Sequence, residues 1–263
     1  MRAKSKTMVW IIGITAFLGS LFTLFSGFGL GTLLTPVGGL FFPIPVAVAL
    51  TGVVHLLNNL FKLSLLGKSA NWDTVWRFGA PSVVGGFVGA SLLAGLIQLP
   101  VLYQWNWGAH LCEVTWLKLV IAVLMVFFTF MELLPGLKKV QFAQRYLTLG
   151  GLLSGFFGGL SGNQGALRSA FLINAGLDKS AYVATGVVVA CLVDFTRLPV
   201  YFTRFTGAGL MEEWGIVVFA TACAFAGAWI GARYLKKVTF RLVQWVTGGF
   251  MLVFAVLLAM GVL

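Results

Sequence analysis

Eight runs of sixteen to twenty-two residues, almost free of charge, follow one another along this chain: 8–25, 45–66, 76–97, 117–134, 146–161, 181–202, 214–235 and 241–262. A helix needs about 20 predominantly apolar residues to cross the ~30 Å hydrocarbon layer of a bilayer, so each run is a candidate span. Charge, proline or a glycine cluster bounds every one. With 59% hydrophobic and 10% charged residues, the chain has too little polar surface to cover a soluble core, where about 25% of residues are ordinarily charged. The apolar excess must face lipid. The expected fold is therefore all-α: a polytopic transmembrane helix bundle of about eight spans, without a soluble domain. The first run, behind Arg2, Lys4 and Lys6, has no small-x-small cleavage signature and reads as a retained helix.

The net charge of +11 does not point to nucleic acid. The cations sit in short segments between apolar runs: Lys68 and Arg77; Lys138, Lys139 and Arg145; Arg233, Lys236, Lys237 and Arg241. That is the distribution of basic membrane loops. A cytoplasmic N-terminus puts the first two clusters inside. Eight simple spans then leave Arg233–Arg241 outside, against the positive-inside rule, unless a glycine-rich segment changes the count. Cys112, Cys191 and Cys223 share no ligand-like spacing, and no metal or cofactor is expected.

Two stretches are too apolar for surface loops and too rich in glycine for plain helices: 26–44 (SGFGLGTLLTPVGGLFFPI) and 158–178 (GGLSGNQGALRSAFLINAGLD). Irregular backbone at membrane depth is tolerated only inside protein or against a watery cavity. Each stretch reads as a broken or re-entrant helix. They also align with each other. A shift of 134 lays Gly31 on Gly165, Ala47 on Ala181 and Thr51-Gly52-Val53-Val54 on Thr185-Gly186-Val187-Val188; a shift of 142 lays Trp72 on Trp214 and Gly85, Gly89 and Ala90 on Gly227, Gly231 and Ala232. The chain thus divides into two repeated halves, 1–135 and 136–263, with 98–116 an insertion in the first. Duplicated halves with broken helices are characteristic of transporters.

Polar groups inside the spans are the candidates for chemistry, because a charge at a helix centre costs about 2.5–3.5 kcal/mol to insert. The segment Gly162, Asn163, Gln164, Gly165, Arg168 combines an unwound turn, amide groups at a following helix start and a guanidinium fork, which suits an anion. The alternative is a solvated loop. Its first-half counterpart, Gly27, Gly29 and Gly31, offers amides without a cation. Thr51 and Thr185 share a repeat position. His55, Asn58 and Asn59 can share one helix face with Thr51. Asp194 and Arg197, three apart, can pair within one helix. His55 and Asp194 are candidates to carry a coupling proton, against the plainer reading of a structural ion pair and an interhelical hydrogen bond. Lys62 reads as a cation snorkelling to the interface. There is no catalytic motif and no P-loop, so no enzymatic activity is expected.

The chain resembles the TauE/SafE sulfite-exporter family of membrane permeases along essentially its whole length. The likeness is carried by Gly27-x-Gly29-x-Gly31-x-Leu33-x-x-Pro36 with Ala47 and Thr51, by Asn71-Trp72, and by Gly155-x-x-Gly158-Gly159-x-x-Gly162-Asn163-Gln164-Gly165 leading to Ala184-Thr185 and Asp194-x-x-Arg197-x-Pro199-x-Tyr201. The resemblance implies a bacterial inner-membrane permease for sulfite, sulfonates or other small organic or sulfur-containing anions. The expected function is secondary transport of such an anion, its partners being the substrate and the lipid bilayer. A passive anion channel and a non-transporting scaffold subunit are the alternatives, and a homo-oligomer is left open.

Overall fold

In the computed structural model, residues 6–23, 29–108, 110–134, 136, 141–204, 213–234 and 241–263 are described. They form ten helices: α1 (Lys6–Thr23), α2 (Leu30–Gly39), α3 (Ile44–Leu66), α4 (Trp72–Leu96), α5 (Trp116–Leu133), α6 (Leu147–Ser161), α7 (Gly165–Leu172), α8 (Lys179–Arg204), α9 (Trp214–Tyr234) and α10 (Arg241–Ala259). Five of them, α3, α4, α5, α8 and α9, are long and apolar enough to cross a membrane, and α1 and α10 contain shorter apolar stretches. The outer surface explains their composition. Val84, Phe87, Val88, Val123, Val218, Val246 and Val253 are each at least half exposed, a distribution stable only against lipid. The molecule is an all-α integral membrane protein with one departure. The insertion after α4 folds as an antiparallel hairpin, β1 (Tyr103–Trp107) and β2 (His110–Val114). Trp105 Nε1 donates to Met260 O at 2.7 Å and Glu113 N–H to Gly261 O at 3.1 Å, so the hairpin grips the end of α10.

The two glycine-rich stretches contain short helices. At 1.5 Å rise per residue, α2, with ten residues, and α7, with eight, extend only about 15 and 12 Å, roughly half a bilayer. Each folds back on its predecessor. Gly19 of α1 lies against Leu30, and Gly150 of α6 lies against Phe171.

Helix directions follow from the same contacts. Phe78, Ser82 and Gly86 of α4 meet Gly151, Gly155 and Gly159 of α6 in ascending order, so these helices run parallel. So do α1 and α9, through Gly13 against Phe219 and Phe17 against Gly227. By contrast α3 and α8 are antiparallel, Gly52 meeting Leu198 and His55 meeting Asp194. Likewise α5 and α10 are antiparallel, Leu133 meeting Gly248 and Thr129 meeting Met251. Because α2 and α7 each add a reversal, the joins α3–α4, α5–α6, α7–α8 and α9–α10 fall at one end of the bundle. The start of α1 and the end of α10 lie at the other.

The α4–α6 contact is backbone on backbone. A methyl group at Gly151, Gly155 or Gly159 would strike the carbonyl oxygens of Phe78, Ser82 and Gly86, and one at Gly85 or Gly89 those of Leu152 and Phe156. Glycine is required here by close approach, which brings dispersion and Cα–H···O contacts within range in a medium that offers little hydrophobic drive between helices. The expected outcome is that Gly155→Leu abolishes the monodisperse peak of the detergent-solubilised protein in size-exclusion chromatography. Gly95→Ala, at a helical position with open space around it, leaves the peak unchanged and the melting temperature within about 2 °C of wild type.

Candidate functional site

The centre of the bundle is polar. From α3, His55 Nδ1 lies 2.6 Å from Asp194 Oδ2 on α8, and Asn59 Nδ2 lies 3.1 Å from the same imidazole nitrogen. Asp194 is fully buried, and its other oxygen accepts from Arg197 Nε at 2.9 Å and Nη2 at 2.8 Å. Arg197 reaches on to the glycine-rich end of α6, donating from Nη1 to Gly158 O at 3.4 Å. The Tyr201 hydroxyl, one helical turn further, donates to Gly159 O. The sequence expectation of an Asp194–Arg197 pair and of an interhelical bond from His55 is met in one connected network. It joins α3, α6 and α8.

The breaks converge on this network. Gly162 ends α6 in the left-handed region (φ 79°), its N–H bonded to Gly158 O at 2.9 Å. A side chain there would be strained, and a Cβ would come within 3.0 Å of Arg197 Nη1. A Cβ on Gly31, in the first turn of α2, would lie 3.5 Å from Gly162 O and 3.7 Å from Thr51 Cγ2, so the two breaks touch. Gly29 caps α2 in extended conformation and its carbonyl accepts from the Thr32 hydroxyl at 2.5 Å. Gly27 lies outside the described residues. Gly165 opens α7.

Beside this junction stand buried side-chain atoms without a hydrogen-bond partner among the described residues: Asn163 Oδ1, Gln164 Oε1, Gln164 Nε2 and Arg168 Nη1. Asn163 and Gln164 are 7% and 2% exposed, so these two side chains lie inside the protein, while Arg168 is partly buried. Buried polar groups are nearly always paired, and an exception marks a site of strain or ligand binding. Arg168 extends along α8, its Nε placed so that a Cβ on Gly186 would be 3.4 Å away.

Other candidates fall differently. Thr51 is buried on α3, facing a narrow apolar gap lined by Ile12, Leu34, Val54 and Val217. The Thr185 oxygen accepts from Asn71 N–H at 2.9 Å, and Asn71 Oδ1 caps the start of α4 by accepting from Thr74 N–H at 2.9 Å. Thr185 thus holds the α3–α4 join to α8. Lys62 does not snorkel. It is 5% exposed, on the inward stripe Thr51, His55, Asn58, Asn59, Lys62. The spacing of that stripe carried the signal, but reading Lys62 as an isolated charge missed it. Tyr201 and Ser154, whose hydroxyl donates to Gln164 O at 3.3 Å, were likewise not singled out as site-builders. Among the described residues no group of three His, Cys, Asp or Glu side chains could hold a metal ion.

A helix bundle whose centre is built on two broken helices is an architecture found in many membrane transporters. The sequence profile of the sulfite exporter TauE/SafE family matches residues 12–258, and the chain belongs to that family of membrane transporters. Comparison with curated proteins and with solved structures gave no significant match.

Removing one member of a buried ion pair strands the other, at a cost of about 3–5 kcal/mol. Arg197→Met is expected to lower the melting temperature of the purified protein sharply. The double change Asp194→Leu/Arg197→Met is expected to lose less than the sum of its parts, as measured by thermal unfolding in detergent.

Proposed function

We propose that the protein is a secondary permease for a small sulfur-containing or organic anion, bound where the two breaks meet. The observation that carries this reading is the set of buried polar atoms without partners, Asn163 Oδ1, Gln164 Oε1 and Nε2, and Arg168 Nη1. Each matches an oxyanion or its protonated oxygen: the guanidinium and carboxamide N–H groups donate to anionic oxygens, and the carboxamide oxygens accept from a bound hydroxyl. The start of α7 adds the amide ends of a helix whose dipole favours negative charge. Gly29 and Gly31 bring the α2 backbone to the opposite side, and Thr51 stands beside them. Thr185 belongs to the frame. The two proton-coupling candidates, His55 and Asp194, are bonded to each other at 2.6 Å, and Asp194 is also paired with Arg197.

The same proposal includes eight spans, α1, α3, α4, α5, α6, α8, α9 and α10, with α2 and α7 as half-helices, in halves 1–135 and 136–263 related by inversion. Reciprocal pairing supports it: the first helix of each half lies parallel to the third span of the other, and like helices meet as antiparallel pairs, α3 with α8 and α5 with α10. Rocking of such halves about a central site alternates access. The positive-inside rule then orients the bundle. Lys68, Arg77, Arg145, Lys179, Arg233 and Arg241 all belong to the end opposite the start of α1, and the segments completing those joins carry Lys138, Lys139, Lys236 and Lys237. We assign that end to the cytoplasm and both termini to the outer side. This reverses the orientation that loop charges favour when α2 and α7 are overlooked.

In proteoliposomes, uptake of radiolabelled sulfite or short organosulfonates against a gradient is expected when a pH gradient is imposed. Arg168→Ala, still monodisperse, is expected to reduce it at least about 10-fold, in line with loss of a charge-assisted hydrogen bond. Unchanged flux in that variant would sink the anion site, and flux that only ever runs downhill would indicate a channel. A green fluorescent protein fused after Leu263 is expected to stay dark in a bacterial host, while alkaline phosphatase at the same position is active. The opposite pattern would reverse the assigned orientation.

A further inference from the structure

From Phe78 to Cys112 the chain has no Asp, Glu, Lys or Arg. The apolar character of α4 therefore runs past the end of the helix and into the hairpin, and so does its exposure. Phe87, Val88 and Leu92 on α4 are exposed, and so are Ile97, Leu99, Val101 and Leu102 beyond its end. The lipid-facing surface of α4 leads, without interruption by charge, to the foot of β1.

Strand register sorts the hairpin into two faces. Opposite residues of an antiparallel pair share a face, as do alternate residues along a strand. Tyr103–Val114 and Trp105–Cys112, with Trp107 next along β1, make one face; Gln104–Glu113 and Asn106–Leu111 make the other. The first face is turned to the bundle, since Cys112 is fully buried and Trp105 donates to Met260 O. Its two flanking aromatics are not covered by that contact: Tyr103 is 64% and Trp107 57% exposed. The second face is polar but for Leu111, and Gln104 Nε2 donates across it to Glu113 Oε1 at 2.8 Å.

At the base of the hairpin a cavity of about 290 Å³ is walled by Phe42, Pro45, Leu96, Ile97 and Leu117. Ile97 belongs both to this wall and to the exposed apolar strip. Hydrocarbon fills such a hollow favourably and water does not. Lys118 also lines it and donates from Nζ to Glu113 O at 2.8 Å. Its ammonium thus stays level with the hairpin while its stem follows the apolar wall, as a lysine at a membrane interface does.

We propose that the hairpin is a lipid-binding element that lies in the interfacial layer of the bilayer, with Tyr103 and Trp107 seated between head groups and acyl chains. Both side chains join an apolar ring to a polar edge, the chemistry that suits this layer. Continuity with the lipid-facing strip of α4 favours a lipid surface over a soluble protein as the partner. The inference rests on the membrane bundle alone and is independent of the anion reading.

The test uses the purified full-length protein in phosphatidylethanolamine–phosphatidylglycerol liposomes. A nitroxide is attached at Trp107→Cys or Tyr103→Cys, and at two references: Val88→Cys on the lipid-facing side of α4 and Asn106→Cys on the polar face of the hairpin. Cys223→Ala removes the native thiol that is not buried. Collision rates with oxygen, which concentrates among acyl chains, and with a water-soluble nickel chelate report the depth of each label. The oxygen-to-nickel ratio at both hairpin labels is expected to be at least about 3-fold above that at Asn106→Cys and below that at Val88→Cys. Hairpin labels that match Asn106→Cys stand in water and overturn the proposal. Labels shielded from both reagents are covered by a second copy of the chain and overturn it as well. Should Trp107→Cys fail to fold, Tyr103→Cys decides by the same criteria.

Discussion

A helix that ends in the packed interior of a bundle leaves its last carbonyls short of partners and away from water, and the rest of this structure depends on how α6 meets that constraint. Its final turn contains Gly158, Gly159, Leu160 and Ser161, and the carbonyls beyond Gly158 have no donor in the ordinary α pattern. Two carbonyls of the turn are served. Gly158 O accepts from the N–H of Gly162 and from Arg197, and Gly159 O accepts from Tyr201. Arg197 also sets positive charge at the negative end of the α6 dipole. That charge could not be buried alone, and Asp194 compensates it from one turn away on the same helix. His55 then engages the other oxygen of the carboxylate, and Asn59 lies against the imidazole. The ion pair is thus as much a helix cap as an electrostatic device.

Once α6 can end at depth, α7 can begin there, and the polar atoms of Asn163, Gln164 and Arg168 are presented inside the bundle. The glycines around them do two different jobs. Gly162 supplies a backbone conformation that other residues reach only with strain. Gly151, Gly155 and Gly159 supply nothing but absence of bulk, allowing α4 to lie directly on α6. Lys62 and its companion Asn58 extend the polar interior along α3, so the charge-bearing region reaches from the α6 cap toward the α3–α4 join.

Much of this was legible in the amino-acid sequence. The apolar runs located eight helices to within a few residues, because lipid imposes both their length and their composition. The two glycine-rich stretches stood out as breaks, since their backbone could belong neither to a surface loop nor to a plain span. The Asp194–Arg197 pair followed from helical spacing. Three features were not legible. Lys62 looked interfacial because hydropathy weighs how apolar a segment is, not which way a residue points within it. Residues 98–116 looked like a mere insertion, because a hairpin held by Trp105 and Glu113 to the end of α10 depends on partners some 150 residues away. The end of the bundle to which the basic joins belong was hidden because α2 and α7 each reverse the chain, and a count of the eight apolar runs omits both.

The α4–α6 contact has a mechanical consequence. Carbonyl oxygens of one helix sit over glycines of the other at intervals of four residues, and to slide along each other the helices must climb over intervening side chains before reaching the next seat, about 6 Å away. They are keyed together like a splined shaft, free to tilt as a unit but not to shear. The α1–α9 pair has the same character at Gly227 against Phe17. The α3–α8 contact has no such key, because side chains rather than backbones meet there. That is also where the His55–Asp194 hydrogen bond crosses from one half of the chain to the other.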